Sequence, residues 1–598
     1  MGRISGYMKK MMNDIRATFS RFASVPVFLA AITVLVSLQI EEVFTDDRQQ
    51  IVERIIFSLV AGAFFGATLE FVCERFGRLK KYRIYLQGIT LIFSLMYYIF
   101  MSTEGKIEFI ATIRLIVICF SLFAFYIWIP SYKNRTIFSN NALAHFKACF
   151  ISLLYSLVLS LGLIAIYFAI DLLLVKLDND IPAHIANVMG IFFFPLYYLA
   201  LLPDFNSSDE QMLEKSKASS VYPKFLEILV SYIALPLITL FTAVLAIYLV
   251  KIVVTLKWPV GQLGPMLLWY SAVGLFLYVL CGKLENRFTQ AYRKFFPIAL
   301  IPLVLMQLYS VFIRVNAYGI TESRYYLILF GIYSIVCAVA LILSKGNKPG
   351  VITVFAAAFA IVSLIPPVDA FSISRASQTN RLENIMKRNN MFSSGKPTPK
   401  VDIPLEDKAE ITNIMNYMYR MGHTSKVSWL PSGYNHYKDF QKVFGFEEQY
   451  GTVFPEPTGV TWYNGMIEQN LPIDIAGYAT ALKSTFYESI PSTEIAFDLG
   501  GKAYKLNIRY LTDDVEFSIV DSFNKKQAVI TLKPRLEKLL TEQKINQGST
   551  ISPADLTIDA SGSDLKMRVI LQSINFRKEI GKAADQINGE ALILIGEK

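Results

Sequence analysis

Residues Cys149–Asp171 read CFISLLYSLVLSLGLIAIYFAID, and the terminal Asp171 is the only charged residue among them. A helix needs about 20 mostly apolar residues to cross the hydrocarbon core of a bilayer, whereas buried helices of soluble proteins rarely exceed about 14 such residues in a row. This stretch is long enough to cross and carries almost nothing that water would solvate. It therefore predicts a transmembrane helix.

The same length rule, applied outward, predicts eleven membrane spans before residue 371. They are Phe22–Ile40, Arg54–Cys73, Ile84–Met101, Ile107–Ile129, Cys149–Asp171, Ile185–Leu202, Ile228–Val250, Gln262–Cys281, Phe296–Ile313, Tyr325–Leu343 and Val351–Ala370. The predicted fold is a membrane all-α helical bundle of about 11 transmembrane helices, residues 1–370, followed by a linker, 371–400, and an extracytoplasmic α+β soluble domain, 401–598.

The charge pattern predicts how the bundle is oriented. From Phe371 onward there are 27 Lys and Arg against 27 Asp and Glu, so the net charge of +10 belongs to the bundle. Its basic residues cluster in alternate connections, which usually face the anionic lipids of the cytoplasmic leaflet. We therefore expect a multi-pass protein of the plasma (inner) membrane with a cytoplasmic N-terminus, and an odd number of spans places the C-terminal domain outside. These lysines and arginines are expected to contact lipid headgroups, and no nucleic-acid partner is predicted.

The C-terminal part changes from helical to strand periodicity along the chain. Leu405–Met421 carries an apolar stripe at helical spacing and predicts an amphipathic helix. In Tyr504–Tyr510 apolar and polar residues alternate, which is typical of a half-buried strand. Similar runs predict a mostly antiparallel sheet, with one short helix opened by Pro534; they are Glu494–Leu499, Val515–Val520, Ala528–Leu532, Asp555–Asp559, Leu565–Phe576 and Ala591–Ile595.

Cysteine and histidine usage argues against metal and disulfide chemistry. All five cysteines lie in or beside apolar spans, so a disulfide framework in the C-terminal domain is excluded. The four histidines are scattered without ligand spacing. No metal site and no cofactor are therefore predicted.

Several segments resemble the bacterial membrane family catalogued as domain of unknown function 4153. The most specific is Ala317–Tyr325, AYGITESRY; the others are Leu235–Leu237, Tyr248–Lys251, Lys257–Pro259, Phe371–Gln378 (FSISRASQ) and Ile473–Tyr478 (IDIAGY). The resemblance implies a many-pass membrane protein with an external C-terminal domain. It implies no reaction and no catalytic residues.

Charged residues within the predicted spans or next to their ends are the main candidates for a ligand site, because a charge in the bilayer costs several kcal/mol unless it is paired or hydrated. Five of them map to the outer leaflet: Arg114, Asp171, Lys251, Glu322 and Arg324. They predict an outward-facing polar pocket for an anionic lipid headgroup or a small anion. The alternative is a structural bridge between Arg114 and Asp171, with the other side chains at the membrane interface.

Paired carboxylates in the first outer loop, Asp46 and Asp47, offer a second kind of site. Their position resembles the architecture of polyprenyl-phosphate-dependent membrane glycosyltransferases, in which a carboxylate acts as a base or a metal ligand. The alternative is that they begin the second span, where the helix dipole favours negative charge.

Three functions follow from these candidates. The first is a non-enzymatic membrane protein with the outward pocket and an external binding or sensing domain, acting in transport or lipid handling. The second is a membrane transferase that acts on a lipid-linked donor through Asp46 or Asp47. The third is an envelope scaffold whose C-terminal domain binds another envelope protein.

Overall fold

The computed structural model describes residues 2–103, 109–133, 138–207, 209–255, 263–449, 460–467, 472–488, 490, 492–511, 514–542, 544–545, 547–579 and 584–598. The chain forms two compact units, Met1–Gln378 and Thr379–Lys598.

The first unit is helical. Its helices are α1 Gly2–Arg21, α2 Ser24–Ile40, α3 Asp46–Arg75, α4 Arg83–Thr103, α5 Phe109–Trp128, α6 Phe138–Leu173, α7 Ile181–Asn187, α8 Phe194–Leu201, α9 Glu210–Ser219, α10 Lys224–Ile228, α11 Leu235–Thr255, α12 Leu263–Leu280, α13 Arg287–Tyr318, α14 Glu322–Leu343, α15 Val351–Val362 and α16 Ala370–Arg388. Two π-helical segments, Val188–Phe193 and Leu229–Ala234, join α7 to α8 and α10 to α11.

The helices confirm a multi-pass membrane bundle. Among the described residues, nine helical segments are long and apolar enough to cross a membrane, and a tenth is added if Met11–Arg21 and Ser24–Ile40 count together as one bent span. Of the eleven predicted spans, the last forms only the 12 residues of α15. Pro366 and Pro367 follow, and proline cannot donate the backbone hydrogen bond that a continuing helix needs.

Both π-helical segments end two residues before a proline, Pro195 in α8 and Pro236 in α11. A proline leaves the carbonyl four residues earlier, here of Ile191 or Tyr232, without its usual helical donor. Widening the turn to π geometry redistributes the bonds around that gap. The sequence thus places a local irregularity at the same point of two different helices.

Polar contacts hold the connections together at one end of the bundle. Arg21 forms a two-point ion pair with Glu74, with a Nε–Oε1 distance of 2.6 Å. Arg75 Nε donates to the Tyr132 carbonyl at 2.9 Å, and Arg293 donates to Gly346 at the same distance. We call this end, which carries the lysine- and arginine-rich connections, the basic end.

The second unit contains a helical core built on α16, α17 (Leu405–Arg420) and α18 (His436–Phe444). Leu382, Ile385 and Met386 of α16 are buried in this core. The segment expected to be a linker, 371–400, therefore carries most of a helix whose apolar residues recur at helical spacing. The predicted helix Leu405–Met421 corresponds to α17.

The remainder of the second unit is a two-stranded sheet, two larger sheets and a helix. The strands are β1 Phe392–Ser393, β2 Lys396–Pro397, β3 Val460–Ile467, β4 Thr480–Phe486, β5 Ser492–Leu499, β6 Lys502–Tyr510, β7 Val515–Asp521, β8 Lys526–Thr531, β9 Gln547–Ile551, β10 Thr557–Ser561, β11 Leu565–Glu579 and β12 Ala584–Glu597. Strands β1 and β2 pair with each other. One larger sheet has the order β4-β12-β11-β3-β9, with β10 also on β11, and the other has the order β5-β6-β7-β8.

The α+β character of this unit is confirmed. Every predicted strand is present, and the predicted helix at Pro534 is α19, Lys533–Thr541. Strands β1, β2, β3, β4 and β9 were not predicted. Neighbouring strands run antiparallel throughout the described residues except for the parallel pair β3 and β9. Both larger sheets and α19 share one apolar core, with Phe517, Leu536 and Met567 fully or almost fully buried.

Candidate functional site

The structure places Arg114 and Asp171 in separate polar surroundings. The Asp171 carboxylate lies 3.0 Å from Lys176 Nζ and accepts the Leu177 backbone N–H at 2.9 Å. The Arg114 guanidinium lies over the ring of Phe371, 5.4 Å from its centroid. Asp171 is thus engaged locally at the end of α6, whereas Arg114 faces the beginning of α16.

Arg324 stabilises the end of helix α13. Its Nη1 atom donates to the Gly319 carbonyl at 2.7 Å and to the Tyr318 carbonyl at 3.2 Å. The last carbonyls of a helix have no partner within the helix, so a cation there satisfies both hydrogen bonding and the helix dipole. Gly319 adopts φ +70° and ψ 178°, a conformation nearly restricted to glycine.

The two segments with the clearest family resemblance bind each other. Gln378 Nε2 donates to the carbonyls of Tyr318 and Ile320, each at 3.0 Å. The Ile320 N–H in turn donates to Ser377 Oγ at 2.8 Å. The turn between α13 and α14 is therefore held against α16 by side chains that the sequence presents only as polar residues after an apolar run.

A buried carboxylate, Asp369, lies in the turn before α16. Its side chain is fully buried, and Oδ1 accepts the backbone N–H groups of Phe371 and Ser372, each at 3.0 Å, as an N-cap does. Oδ2 has no hydrogen-bond partner among the described residues. The Tyr326 hydroxyl lies within electrostatic range of Asp369, Glu322 and Arg114. These four residues form a polar cluster that contains two predicted site residues, Glu322 and Arg114.

The other predicted residues do not join this cluster. Lys251 is exposed on α11. Asp46 and Asp47 begin α3, but their side chains lie outside the described part of the structure. In the part of the chain that is described, no three His, Cys, Asp or Glu side chains are arranged to hold a metal ion.

A cavity of about 290 Å³, partly open to its surroundings, lies between α2, α3, α5, α6 and α8. Ala63 and Ala67 of α3 lie one turn apart on its wall, where larger side chains would fill the space. On the facing wall, Ile191, Phe194 and Pro195 come from the π-helical segment and the start of α8. Small residues on one helix and an irregular turn on another therefore create the cavity.

The polar atoms at the cavity belong to two tyrosines on its wall, Tyr126 and Tyr198. Their hydroxyls lie 3.2 Å apart, and the Tyr198 hydroxyl is 2.7 Å from His145 Nδ1. His145 is only 2% exposed, and its Nε2 atom has no hydrogen-bond partner among the described residues. A hydrogen-bonded chain of three side chains thus adjoins an otherwise apolar space.

This chain of side chains lies near the basic end. The Phe71 ring stacks on Tyr126 at 5.4 Å, and the Arg21 guanidinium lies 5.7 Å from the Phe71 centroid. The cavity was not predicted from the sequence. The one available signal was a histidine close to the apolar run that begins at Cys149.

Comparisons with known proteins agree with this architecture. The model of a family described as "Domain of unknown function (DUF4153)" matches residues 24–392. A relative described as an uncharacterized protein of Pasteurella multocida (strain Pm70) is 27% identical over 222 residues, which are 36% of this chain and 36% of the relative. The match therefore spans about a third of the length of that relative. No solved structure matches the chain.

Proposed function

The chain belongs to the DUF4153 family, whose model covers more than half of it, and from this membrane architecture we propose a lipid-handling protein whose bundle holds one hydrocarbon chain in the cavity beside Tyr126 and Tyr198. The observation that carries the proposal is the apolar cavity itself. Family membership names no reaction, so the proposal rests on geometry.

The size and lining of the cavity favour a hydrocarbon chain over a polar solute. Small-molecule sites usually enclose about 300–1,000 Å³, so about 290 Å³ suits one chain and not a whole lipid. Water needs two to four polar partners, and apart from the two tyrosine hydroxyls the wall is made of apolar side chains. Lipid surrounds the bundle and supplies chains of this chemistry.

The polar groups favour a defined orientation of the bound lipid. A lipid ester carbonyl accepts hydrogen bonds. With one ring N–H on the histidine, Tyr126, Tyr198 and His145 carry three donor hydrogens, and the two bonds between these side chains use two of them, so one remains for the ligand. The Arg21–Glu74 pair closes the basic end nearby. The polar end of the lipid would therefore lie at the basic end, with its chain toward the middle of the bundle.

The proposal includes the plasma membrane as location, with the basic end and the N-terminus cytoplasmic. The apolar run from Val351 to Ala370 would complete an eleventh crossing and place Lys598 outside. A fluorescent-protein fusion after Lys598 that folds only in the cytoplasm tests this: fluorescence would reverse the placement of the C-terminal unit.

The cavity can be tested with a fatty acid that carries a photoreactive diazirine near its methyl end. The purified protein is irradiated with the probe, digested, and mapped by mass spectrometry. Labels are expected on residues 25–32 and 191–199, which line the cavity. In Ala67→Leu these labels should fall several-fold, because the added atoms occupy the space.

The matched control is Ala61→Leu. Ala61 is also a buried alanine of α3, but it packs near Tyr97 and Met101 and away from the cavity. Labelling in this variant should equal that of the wild type. Labels confined to the lipid-facing surfaces of α4 and α6, or equal losses in both variants, would refute chain binding in the cavity.

A further inference from the structure

The first helix turns sharply before the bundle begins. The segment Met11–Arg21 of α1 makes an angle of 103° with α2, Ser24–Ile40. The 17 residues of α2 extend about 26 Å, which lies at the short end of what crosses a bilayer. If α2 crosses, α1 runs nearly parallel to the membrane plane.

The surface of α1 is divided into three stripes along its length. One stripe contacts the bundle: Thr18 is buried, and Met11 and Ile15 are half-buried. The second is apolar but exposed, with Met12 66% and Phe19 46% exposed at a spacing of seven residues. The third is polar and exposed; its members are Lys9, Asn13, Arg16 and Ser20.

Contacts fix α1 on the basic end of the bundle. Lys215 Nζ lies 3.1 Å from Asp14 Oδ1, and α1 packs against α8. Arg21, at the end of α1, forms the two-point pair with Glu74. The exposed apolar stripe lies between the buried stripe and the polar stripe, which is the order expected of a helix resting in a bilayer interface.

We propose that α1 is an interfacial helix that binds anionic phospholipid headgroups, with Met12 and Phe19 inserted among the upper acyl carbons. The helix carries Arg3, Lys9, Lys10 and Arg16 in addition to Arg21, which is paired with Glu74, and its single acid, Asp14, is paired with Lys215. Helices with a basic polar face and large apolar residues on the other side lie in this way. The basic connections of the bundle continue the same charge, so the surface is complementary to an anionic membrane and not to a second copy of itself.

The test uses the full chain in nanodiscs and tryptophan fluorescence quenched by brominated lipid. Phe19→Trp reports on the apolar stripe, and Ser20→Trp is the matched control on the adjacent polar stripe. The signal of the native tryptophans is subtracted with the unmodified protein. Each variant is measured with brominated phosphatidylglycerol and with brominated phosphatidylcholine at equal bromine content.

Phe19→Trp should be quenched strongly and Ser20→Trp weakly, with phosphatidylglycerol the more effective quencher. Each basic residue near an anionic membrane surface strengthens binding to that surface about fivefold. In Phe19→Trp with Lys9→Gln and Arg16→Gln, the preference for phosphatidylglycerol should therefore decline toward equality.

Three results would overturn the proposal. If Phe19→Trp is quenched no more than Ser20→Trp, the apolar stripe of α1 is not inserted in the membrane interface. Equal quenching of Phe19→Trp, with Lys9 and Arg16 retained, by both brominated lipids would show that the helix does not select anionic headgroups. Efficient disulfide formation between two copies of a Phe19→Cys variant in liposomes would assign the stripe to a protein contact.

Discussion

Gly274 of α12 leaves the space that the Phe296 ring of α13 occupies. A Cβ atom on residue 274 would lie 2.2 Å from Phe296 Cζ and 2.3 Å from Cε2. The ring cannot move away easily, because it is 3% exposed and stacks on Tyr292 with centroids 4.9 Å apart. The Tyr292 hydroxyl also donates to the Gly274 carbonyl at 2.9 Å. Gly274→Ala must therefore displace a ring by more than 1 Å and disturb a hydrogen bond.

We expect Gly274→Ala to destabilise the bundle by about 1–3 kcal/mol, the usual cost of overpacking a core. Replacing glycine by alanine inside a helix would otherwise stabilise it by roughly 0.5–1 kcal/mol. Gly162→Ala in α6 is the matched control, because nothing lies within 4 Å of its added Cβ atom. It should be neutral or slightly stabilising.

The assay is thermal unfolding in detergent, followed by a dye that becomes fluorescent when it reacts with newly exposed thiols. Cys281, in the turn directly after α12, and Cys337, in the neighbouring α14, are fully buried and become reactive when these helices separate. Adding Phe296→Leu to Gly274→Ala should recover part of the lost stability, because the smaller side chain relieves the clash. Equal melting temperatures for Gly274→Ala and Gly162→Ala would refute the packing argument.

Two further predictions concern the second unit. Burial holds the pKa of His436 below its ordinary value, so the folded state binds this proton less readily than the unfolded state. The stability of the second unit should therefore fall as the pH drops below about 6.5. Hydrogen exchange of residues 405–446, corrected for intrinsic rates, measures this, and His436→Phe should flatten the pH dependence. Asp407→Ala removes the acceptor of hydrogen bonds from Arg388 and from Asn389 Nδ2, the latter at 2.6 Å. In the same assay it should destabilise the contact between α16 and α17 by roughly 2–4 kcal/mol. The control Glu542→Ala removes an exposed carboxylate and should leave exchange in residues 405–446 unchanged.

Long apolar runs made the bundle predictable, because hydrocarbon solvation acts on each helix separately. The alternation of apolar and polar residues made strands such as β6 predictable, because their inward and outward side chains differ clearly in polarity. It fails for β4, Thr480–Phe486, where alanine, serine and threonine weaken the contrast between the two faces. Strand β9 pairs in parallel with a partner about eighty residues away, which no local pattern reveals.

The candidate site was less predictable, since hydropathy gives the depth of a residue in the membrane but not the neighbouring helix that it faces. Arg114 and Asp171 share a leaflet in the sequence-based prediction, yet one lies over Phe371 and the other binds Lys176. The cavity depends on how α2, α3 and the irregular helix before Pro195 are placed around the same space. That geometry arises from packing between helices and from no single segment.

The length of helix α6 determines how far it must tilt in the bilayer. Cys149–Ile170, the uncharged run that precedes the Asp171–Lys176 pair, is about 33 Å long, so fitting it into about 30 Å of hydrocarbon requires an inclination of about 25°, within the range of up to about 40° seen for such helices. A thinner bilayer would require this helix to lean further. Because Cys149 of α6 also forms part of the cavity wall, stretching or thinning the membrane would strain that wall directly, and the bundle would register bilayer thickness as a change in the volume it encloses.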